Sequence, residues 1–327
     1  MTQLGELREA HAMFEKHGIK LYLLSYDDKK ALANYVETTG ARFTMFSDVD
    51  SKVIRDYGIL NTEIKPGEIP VYGIPFPGTY VVDEAGKVID KFFYETYKRR
   101  ESAAVIIDTA LGKVVPWDDV PEANTTDEDI SIRASLQGGP IKQGVQRRIL
   151  LEFNLASGLH LYGKPVPNGM IPLTVEVEAE DGIVVSDPIF PTTRNLHLQE
   201  MQLDLPVWSD EFMVQIPLYA KSKIASELRP LERDSIKLTI KTRFQACNDD
   251  TCLLPRTETF ELSIPLEPID VPNLPLFTGN GQKELGMKAA PHLIRLIFRL
   301  IRKNPFGFLR FIGKSRALKK AAKARSR

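Results

Sequence analysis

The first third of the chain alternates between helical and strand-like patterns of apolar residues. Apolar side chains recur at helical spacing over 3–17, and a short apolar run follows at 19–25. A later Glu-Ala-Gly turn joins two strand-like runs, and a helical pattern covers 99–111. Strands and helices that alternate in this order predict an α/β layer over residues 1–115.

Two local details belong to this prediction. The run at 19–25 is bounded by polar residues, so we expect a buried strand. Asp27 or Asp28 stands just before the next helical pattern, where a carboxylate can cap the first turn, and Gly40 marks its end.

The pattern changes at Pro116. Residues 116–129 are acidic and rich in proline, which indicates a linker. From 130 to 265 the chain contains period-two and apolar runs separated by Pro and Gly turns, without a convincing helix, and this predicts an all-β sandwich. A second Pro-rich linker is expected at 266–286. The clearest strand patterns cover 147–156, 172–180, 211–219, 235–244 and 257–266.

The remaining segment, 287–327, predicts a basic amphipathic helix that begins near Pro291. From Lys288 onward it carries thirteen Lys or Arg and no Asp or Glu, whereas the preceding residues carry 30 basic and 43 acidic side chains. An amphipathic helix with a wide apolar face, followed by a polybasic end, favours an anionic membrane surface as partner. Docking of the helix onto the protein is the alternative, and nucleic acid is disfavoured by the wide apolar face. We expect a peripheral membrane protein, with periplasm and cytoplasm both open.

Residues 43–61 and 72–93 carry a first family resemblance. "FTMFSDVDSKVIRDYGILN" and "YGIPFPGTYVVDEAGKVIDKFF" resemble the second half of a peroxiredoxin of the alkyl hydroperoxide reductase/thiol-specific antioxidant (AhpC/TSA) family. The resemblance implies a thioredoxin fold over about 1–112. It also implies that Pro77 occupies the position of the family's cis-proline, which packs against the redox centre.

The same resemblance implies that the domain is incomplete. The family's peroxidatic residue sits at the start of the first long helix, just after a central strand, and here that helix begins at Met1. We expect Met1 to be an internal start, with Cys or selenocysteine at the peroxidatic position upstream. A degenerate domain without peroxidase activity is the alternative. No Gly-rich phosphate loop and no metal-ligand spacing is found in this half, so we expect no cofactor and no metal.

The two cysteines of the chain, Cys247 and Cys252, stand within "FQACNDDTCLLP". A polar four-residue loop between two strands would make them cross-strand neighbours, close enough for a disulfide. A structural staple, half of a metal site and a working redox pair all remain open. The metal site is the weakest, because there is no third cysteine and His160 and His197 are isolated in other segments. A disulfide at an exposed hairpin tip is well suited to exchange with a partner thiolate.

A second resemblance bears on this choice. "FQACNDDTCLLPRTETFELSIPL" and "SGLHLYGKPVPNGMIPLTVEVEAEDG" resemble the N-terminal electron-delivery domain of DsbD-type thiol:disulfide interchange proteins, over about 130–265. The resemblance implies an immunoglobulin-like sandwich in which Cys247 and Cys252 form a redox-active disulfide. It also implies that Phe244 and Tyr162 shield the pair.

These observations predict a thiol-dependent oxidoreductase. An AhpC/TSA-like antioxidant domain would reduce a peroxide or a disulfide, and electrons would pass through Cys247 and Cys252 to and from a thiol partner protein. The alternative is a binding module without catalysis, in which an inactive thioredoxin fold and a stapled sandwich are tethered to a membrane.

Overall fold

The computed structural model describes residues 2–65, 73–94, 99–198, 202–221, 234–248 and 251–267, together with Phe298 and Arg302. The described residues up to 267 divide into two compact units, with the boundary between Val114 and Val115. Phe298 and Arg302 are helical, while the rest of the basic segment and nearly all of the 266–286 linker lie outside the described residues. No helix in the described part of the chain has the length and apolar character needed to cross a membrane.

The first unit contains a short β-α-β arrangement and a separate hairpin. The parallel strands β1 and β2 are connected through α3, and β3 and β4 form an antiparallel pair, in keeping with the predicted α/β pattern. The helix predicted over 3–17 is divided at Ala10, which adopts a turn. The elements are α1 (Thr2–Glu9), α2 (His11–Lys16), β1 (Tyr22–Ser25), α3 (Lys29–Thr39), β2 (Thr44–Ser47), α4 (Lys52–Asp56), β3 (Gly78–Val82), β4 (Val88–Phe93) and α5 (Ala103–Leu111).

Short polar side chains fix where the helices begin. The carboxylate of Asp28 accepts a hydrogen bond from the Ala31 N–H at 2.8 Å, so Asp28, rather than Asp27, caps α3. Gly40 ends the same helix in the left-handed conformation, with φ of 66°. Ser102 caps α5 in the same manner as Asp28, through the Val105 N–H.

Two expectations for this unit are wrong. The strand predicted to be buried leaves Tyr22 61% exposed and stacked on Phe46 at 5.6 Å, because β1 and β2 form a two-stranded sheet with one uncovered face. The peptide bond before Pro77 is not cis; among the described residues, Lys164–Pro165 has the cis bond. Backbone hydrogen bonds tie 59–61 to 74–76, and Pro77 connects this paired segment to β3.

The regular elements in the described part of the second unit are all strands, as predicted. Its strands are β5 (Glu122–Thr126), β6 (Ile130–Gln137), β7 (Gln146–Leu155), β8 (His160–Tyr162), β9 (Thr174–Ala179), β10 (Ile183–Val185), β11 (Arg194–Leu198), β12 (Leu203–Ser209), β13 (Glu211–Ala220), β14 (Ser235–Phe244), β15 (Ala246–Cys247) and β16 (Arg256–Pro265).

These strands form three sheets. The orders are β10-β13-β7-β6-β5, β11-β12-β8-β15 and β16-β14-β9. The segment 116–129 is therefore not wholly a linker, because β5 pairs with β6 from Glu122 to Thr126. The arrangement is consistent with a β-sandwich, and the finer immunoglobulin-like topology remains a prediction.

The core of the second unit lies between these sheets. On β14 buried and less buried positions alternate, so that Ile236, Leu238 and Ile240 point inward. Phe153 of β7 packs in the same core and stacks on Phe212 at 4.7 Å. The close packing of these aliphatic and aromatic side chains makes the sheets rigid. The segment between β14 and β16 is held at one end of this core.

Candidate redox site

The cysteines lie in the connection between β14 and β16. The two strands pair from Ser235↔Pro265 to Phe244↔Arg256, and the chain then leaves this ladder. Residues 246–247 form β15, which pairs with β8 in a different sheet. The connection predicted between two strands therefore changes sheet before it turns.

Local hydrogen bonds bring the two cysteines together. Cys247 and Cys252 form an isolated antiparallel bridge, with their Cα atoms 4.0 Å apart and their sulfur atoms joined in a disulfide. The Thr251 N–H donates to the side-chain oxygen of Asn248 at 2.6 Å, and the Leu253 N–H donates to the Ala246 carbonyl at 2.8 Å. The prediction that the two cysteines are cross-strand neighbours is confirmed, whereas Asp249 and Asp250 of the predicted four-residue loop lie outside the described residues.

The two sulfur-bearing residues differ sharply in exposure. Cys247 is fully buried, whereas Cys252 is exposed. Cys247 belongs to a small apolar cluster, separate from the main core, with Tyr162, Leu205 and Val207. A reagent in solution can therefore approach the disulfide from the side of Cys252.

Tyr162 lies against the disulfide, as the sequence comparison implied. Its hydroxyl is 4.0 Å from the Cys252 Sγ, and burial raises the pKa of this phenol above its usual value. The phenol is consequently neutral at physiological pH and can present its O–H toward the sulfur. Phe244, the other residue expected to shield the pair, lies instead in the main core, edge-on to Phe153 at 6.3 Å.

Arg256, the first residue of β16, is paired with carboxylates and not with the disulfide. The Arg256 guanidinium forms ion pairs with Asp127 and with Glu258, and it lies over the Phe244 ring at 5.3 Å. Hydrogen bonds from the Asp129 N–H and from Arg256 lower the pKa of Asp127. With two carboxylates beside it, Arg256 is a poor source of net positive charge for a thiolate.

The surface next to Cys252 is apolar. Leu253 is 40% exposed and Leu254 is 88% exposed, so two leucines flank the accessible sulfur. Exposed apolar side chains beside a reactive group favour contact with a partner protein.

His160 is the residue that the sequence pattern failed to connect with the site. It is 2% exposed and lies directly opposite Cys247 in the β8–β15 pair. The centroid of its ring lies 5.2 Å from the centroid of the Tyr162 ring.

Within the described residues, no group of three or more His, Cys, Asp or Glu side chains could hold a metal ion. Pro77 belongs to the first unit, immediately before β3.

Comparison with known proteins agrees with the two resemblances. The AhpC/TSA family model matches residues 1–91, and the model of the N-terminal part of the thiol:disulfide interchange protein DsbD matches residues 133–264. No curated protein matches the chain.

Several solved structures are similar to part of the chain. The N-terminal periplasmic domain of ScsB from Proteus mirabilis is 19% identical, with 45% of this chain and 52% of that domain covered and a TM-score of 0.31. The chain thus spans about half of that domain. The reduced DsbD N-terminal domain of Neisseria meningitidis is 14% identical, with 45% and 85% covered and a TM-score of 0.25. The complex of the DsbD and PilB N-terminal domains from the same organism gives 15% identity, 49% and 94% coverage and a TM-score of 0.25.

Both family matches support thiol–disulfide redox function. The chain joins a segment that matches the AhpC/TSA family model to a segment that matches the model of the DsbD N-terminal part.

Proposed function

We propose that the chain carries electrons between thiol proteins through reversible exchange at the Cys247–Cys252 disulfide. The observation that carries this proposal is the unequal exposure of the pair, since Cys252 is open to solvent and Cys247 is fully buried. A partner thiolate can reach one sulfur only, which gives the exchange a defined direction of attack.

The exchange has two steps. The partner thiolate attacks the Cys252 Sγ, a mixed disulfide forms, and the bond to Cys247 breaks so that Cys247 leaves as a thiolate and takes up a proton. A second thiolate of the partner then attacks the partner sulfur that is bonded to Cys252. The mixed disulfide breaks and Cys252 is released as a thiolate. The partner is oxidised to a disulfide, and Cys247 and Cys252 receive two electrons and, once protonated, two protons.

The final acceptor that we propose is a peroxide or a protein disulfide, in line with the AhpC/TSA match over residues 1–91. Cys247 and Cys252 are the cysteines of residues 1–327, so thiol chemistry by this stretch of chain passes through that pair. Peroxide consumption that needs a dithiol and disappears in the C247S/C252S double variant would support this substrate class. Loss of disulfide reductase activity alone would restrict the substrate to proteins.

We also propose that the basic segment 287–327 binds an anionic membrane surface. Thirteen Lys or Arg without a single Asp or Glu from Lys288 onward, interspersed with apolar residues, support this proposal. Such a tether would keep the redox unit near membrane-associated thiol partners.

Single-cysteine variants test the exchange mechanism. In C247S the remaining thiol, Cys252, is at the surface, and in C252S the remaining thiol, Cys247, is buried. We expect C247S to form a mixed disulfide with oxidised glutathione at least about tenfold faster than C252S, because access limits exchange. Mass spectrometry of the adducts and circular dichroism of both variants complete the measurement. Equal rates would refute the direction of attack, and a wild-type disulfide that resists excess dithiothreitol would leave only a structural staple.

A further inference from the structure

The side chain of His160 shares a face of its sheet with Cys247. In the antiparallel pair β8–β15, His160 is opposite Cys247 and Leu161 is opposite Ala246. Directly opposed residues point to the same face, with Cβ atoms about 5 Å apart. Leu161 and Ala246 pack in the main core, whereas Cys247 lies in the separate apolar cluster, so His160 and Cys247 face away from that core together.

The surroundings of His160 are shielded from solvent. His160 is 2% exposed and Cys247 is fully buried, and the Tyr162 ring lies against the imidazole at 5.2 Å. A thiolate released at Cys247 would therefore be a buried negative charge, which is costly unless a charge or a proton compensates it. Histidine is the side chain best suited to exchange a proton near neutral pH.

We propose that His160 is the acid–base group for the Cys247 sulfur, an inference that rests on the exchange function proposed above. When the partner thiolate bonds to Cys252, the sulfur–sulfur bond breaks and its electron pair moves to Cys247. The imidazolium of His160 gives its proton to that sulfur and becomes neutral imidazole. In the reverse direction the neutral imidazole takes the proton from the Cys247 thiol, and the resulting thiolate attacks Cys252 in the mixed disulfide.

Other polar groups also face His160 from the neighbouring strands. Ser209 of β12 is opposite His160 on the side away from Cys247. The Ser209 hydroxyl accepts a hydrogen bond from Arg194 Nε at 3.0 Å and donates to the Asp210 carboxylate at 3.1 Å. The charges of Arg194 and Asp210 oppose one another in their effect on an imidazolium, and Tyr162 adds a phenol whose pKa is raised by burial.

The pH dependence of reduction tests this role. The probe is dithiothreitol acting on the oxidised full-length chain, and the rate constant is divided by the concentration of dithiothreitol thiolate at each pH. For simple exchange this normalised rate does not vary with pH, because the disulfide has no proton to lose. With His160 as acid, we expect it to rise about tenfold or more as pH falls through the imidazole titration, a modest general-acid effect.

Variants assign the rise to one residue. H160Q should give a flat normalised profile, and Y162F should keep the rise. H197Q is the matched control, because His197 lies on β11 of the same sheet, is bonded to Asp204 at 2.8 Å and has a side chain that is 54% exposed. Its profile should equal that of the unmodified chain.

The outcomes separate this inference from the function on which it rests. A flat profile in the unmodified chain overturns the role of His160 even if H160Q does not fold, and a rise that persists in folded H160Q overturns it too. If the unmodified disulfide is not reduced at all, the exchange function fails instead.

Discussion

Reduction of the Cys247–Cys252 disulfide should leave the second unit folded. The two cysteines are five positions apart, and the chain-entropy model assigns a loop of this size a stabilisation of about 2 kcal/mol. The core of the unit is formed by side chains of the large sheets and does not include Cys247. We therefore expect the free energy of unfolding to fall by about 2 kcal/mol on reduction, which corresponds to a decrease in Tm of roughly 4–8 °C.

Tryptophan fluorescence can follow this unit by itself, because both tryptophans, Trp117 and Trp208, lie in it. Urea unfolding is measured with the disulfide intact and in the presence of a non-thiol reductant. The C247A/C252A double variant is the control, and reductant should not change its transition. Unfolding of the unit on reduction, or a loss above about 5 kcal/mol, would show that the disulfide is a staple and would refute cycling between two folded states.

Three further predictions concern the core, the ion pair at β16 and the basic segment. F153A should lower the free energy of unfolding by about 3–5 kcal/mol in the same urea assay, because Phe153 is fully buried between sheets; a loss below about 1 kcal/mol would contradict the described core. The pKa of Asp127 is lowered in the folded protein, so its ionised carboxylate stabilises the fold. This contribution is present above the unfolded-state pKa of about 3.9 and is lost as pH falls through the folded-state pKa. D127N should therefore be less stable than the unmodified chain at pH 7, and the difference should close in acid; a constant difference would contradict the assignment. Deletion of 287–327 should abolish co-sedimentation with phosphatidylserine vesicles at low salt, whereas binding that survives deletion would place the membrane contact elsewhere.

Local patterns predicted much of the fold. The Asp28 cap, the Gly40 stop and the strand runs depend on residues close together in sequence, and the structure contains them all. β5 was missed because Glu-Ala-Asn-Thr-Thr has no apolar alternation; it is a strand because it pairs with β6. The exposure of Tyr22 was missed because an apolar run does not reveal whether its sheet is covered on one face or on both.

The candidate site could be predicted only in part, because some of its contacts are local in the sequence and others join distant segments. The loop predicted at 248–251 is short, so the sequence could place Cys247 beside Cys252. The contact of Tyr162 with Cys252 joins residues 90 positions apart, and β15 pairs with β8 rather than with its neighbours in the chain. His160 therefore looked isolated in the sequence, although the strand register places it opposite Cys247.

The reduction potential of the Cys247–Cys252 pair tests the central claim most directly. The oxidised chain is equilibrated with dithiol and glutathione redox buffers at pH 7, and the free thiols are alkylated and counted by mass spectrometry. A pair that exchanges electrons with partner proteins should have a potential between about −270 and −120 mV, the range of thiol–disulfide exchange proteins. A potential below about −300 mV, as in structural disulfides, would contradict the account and leave the pair a staple.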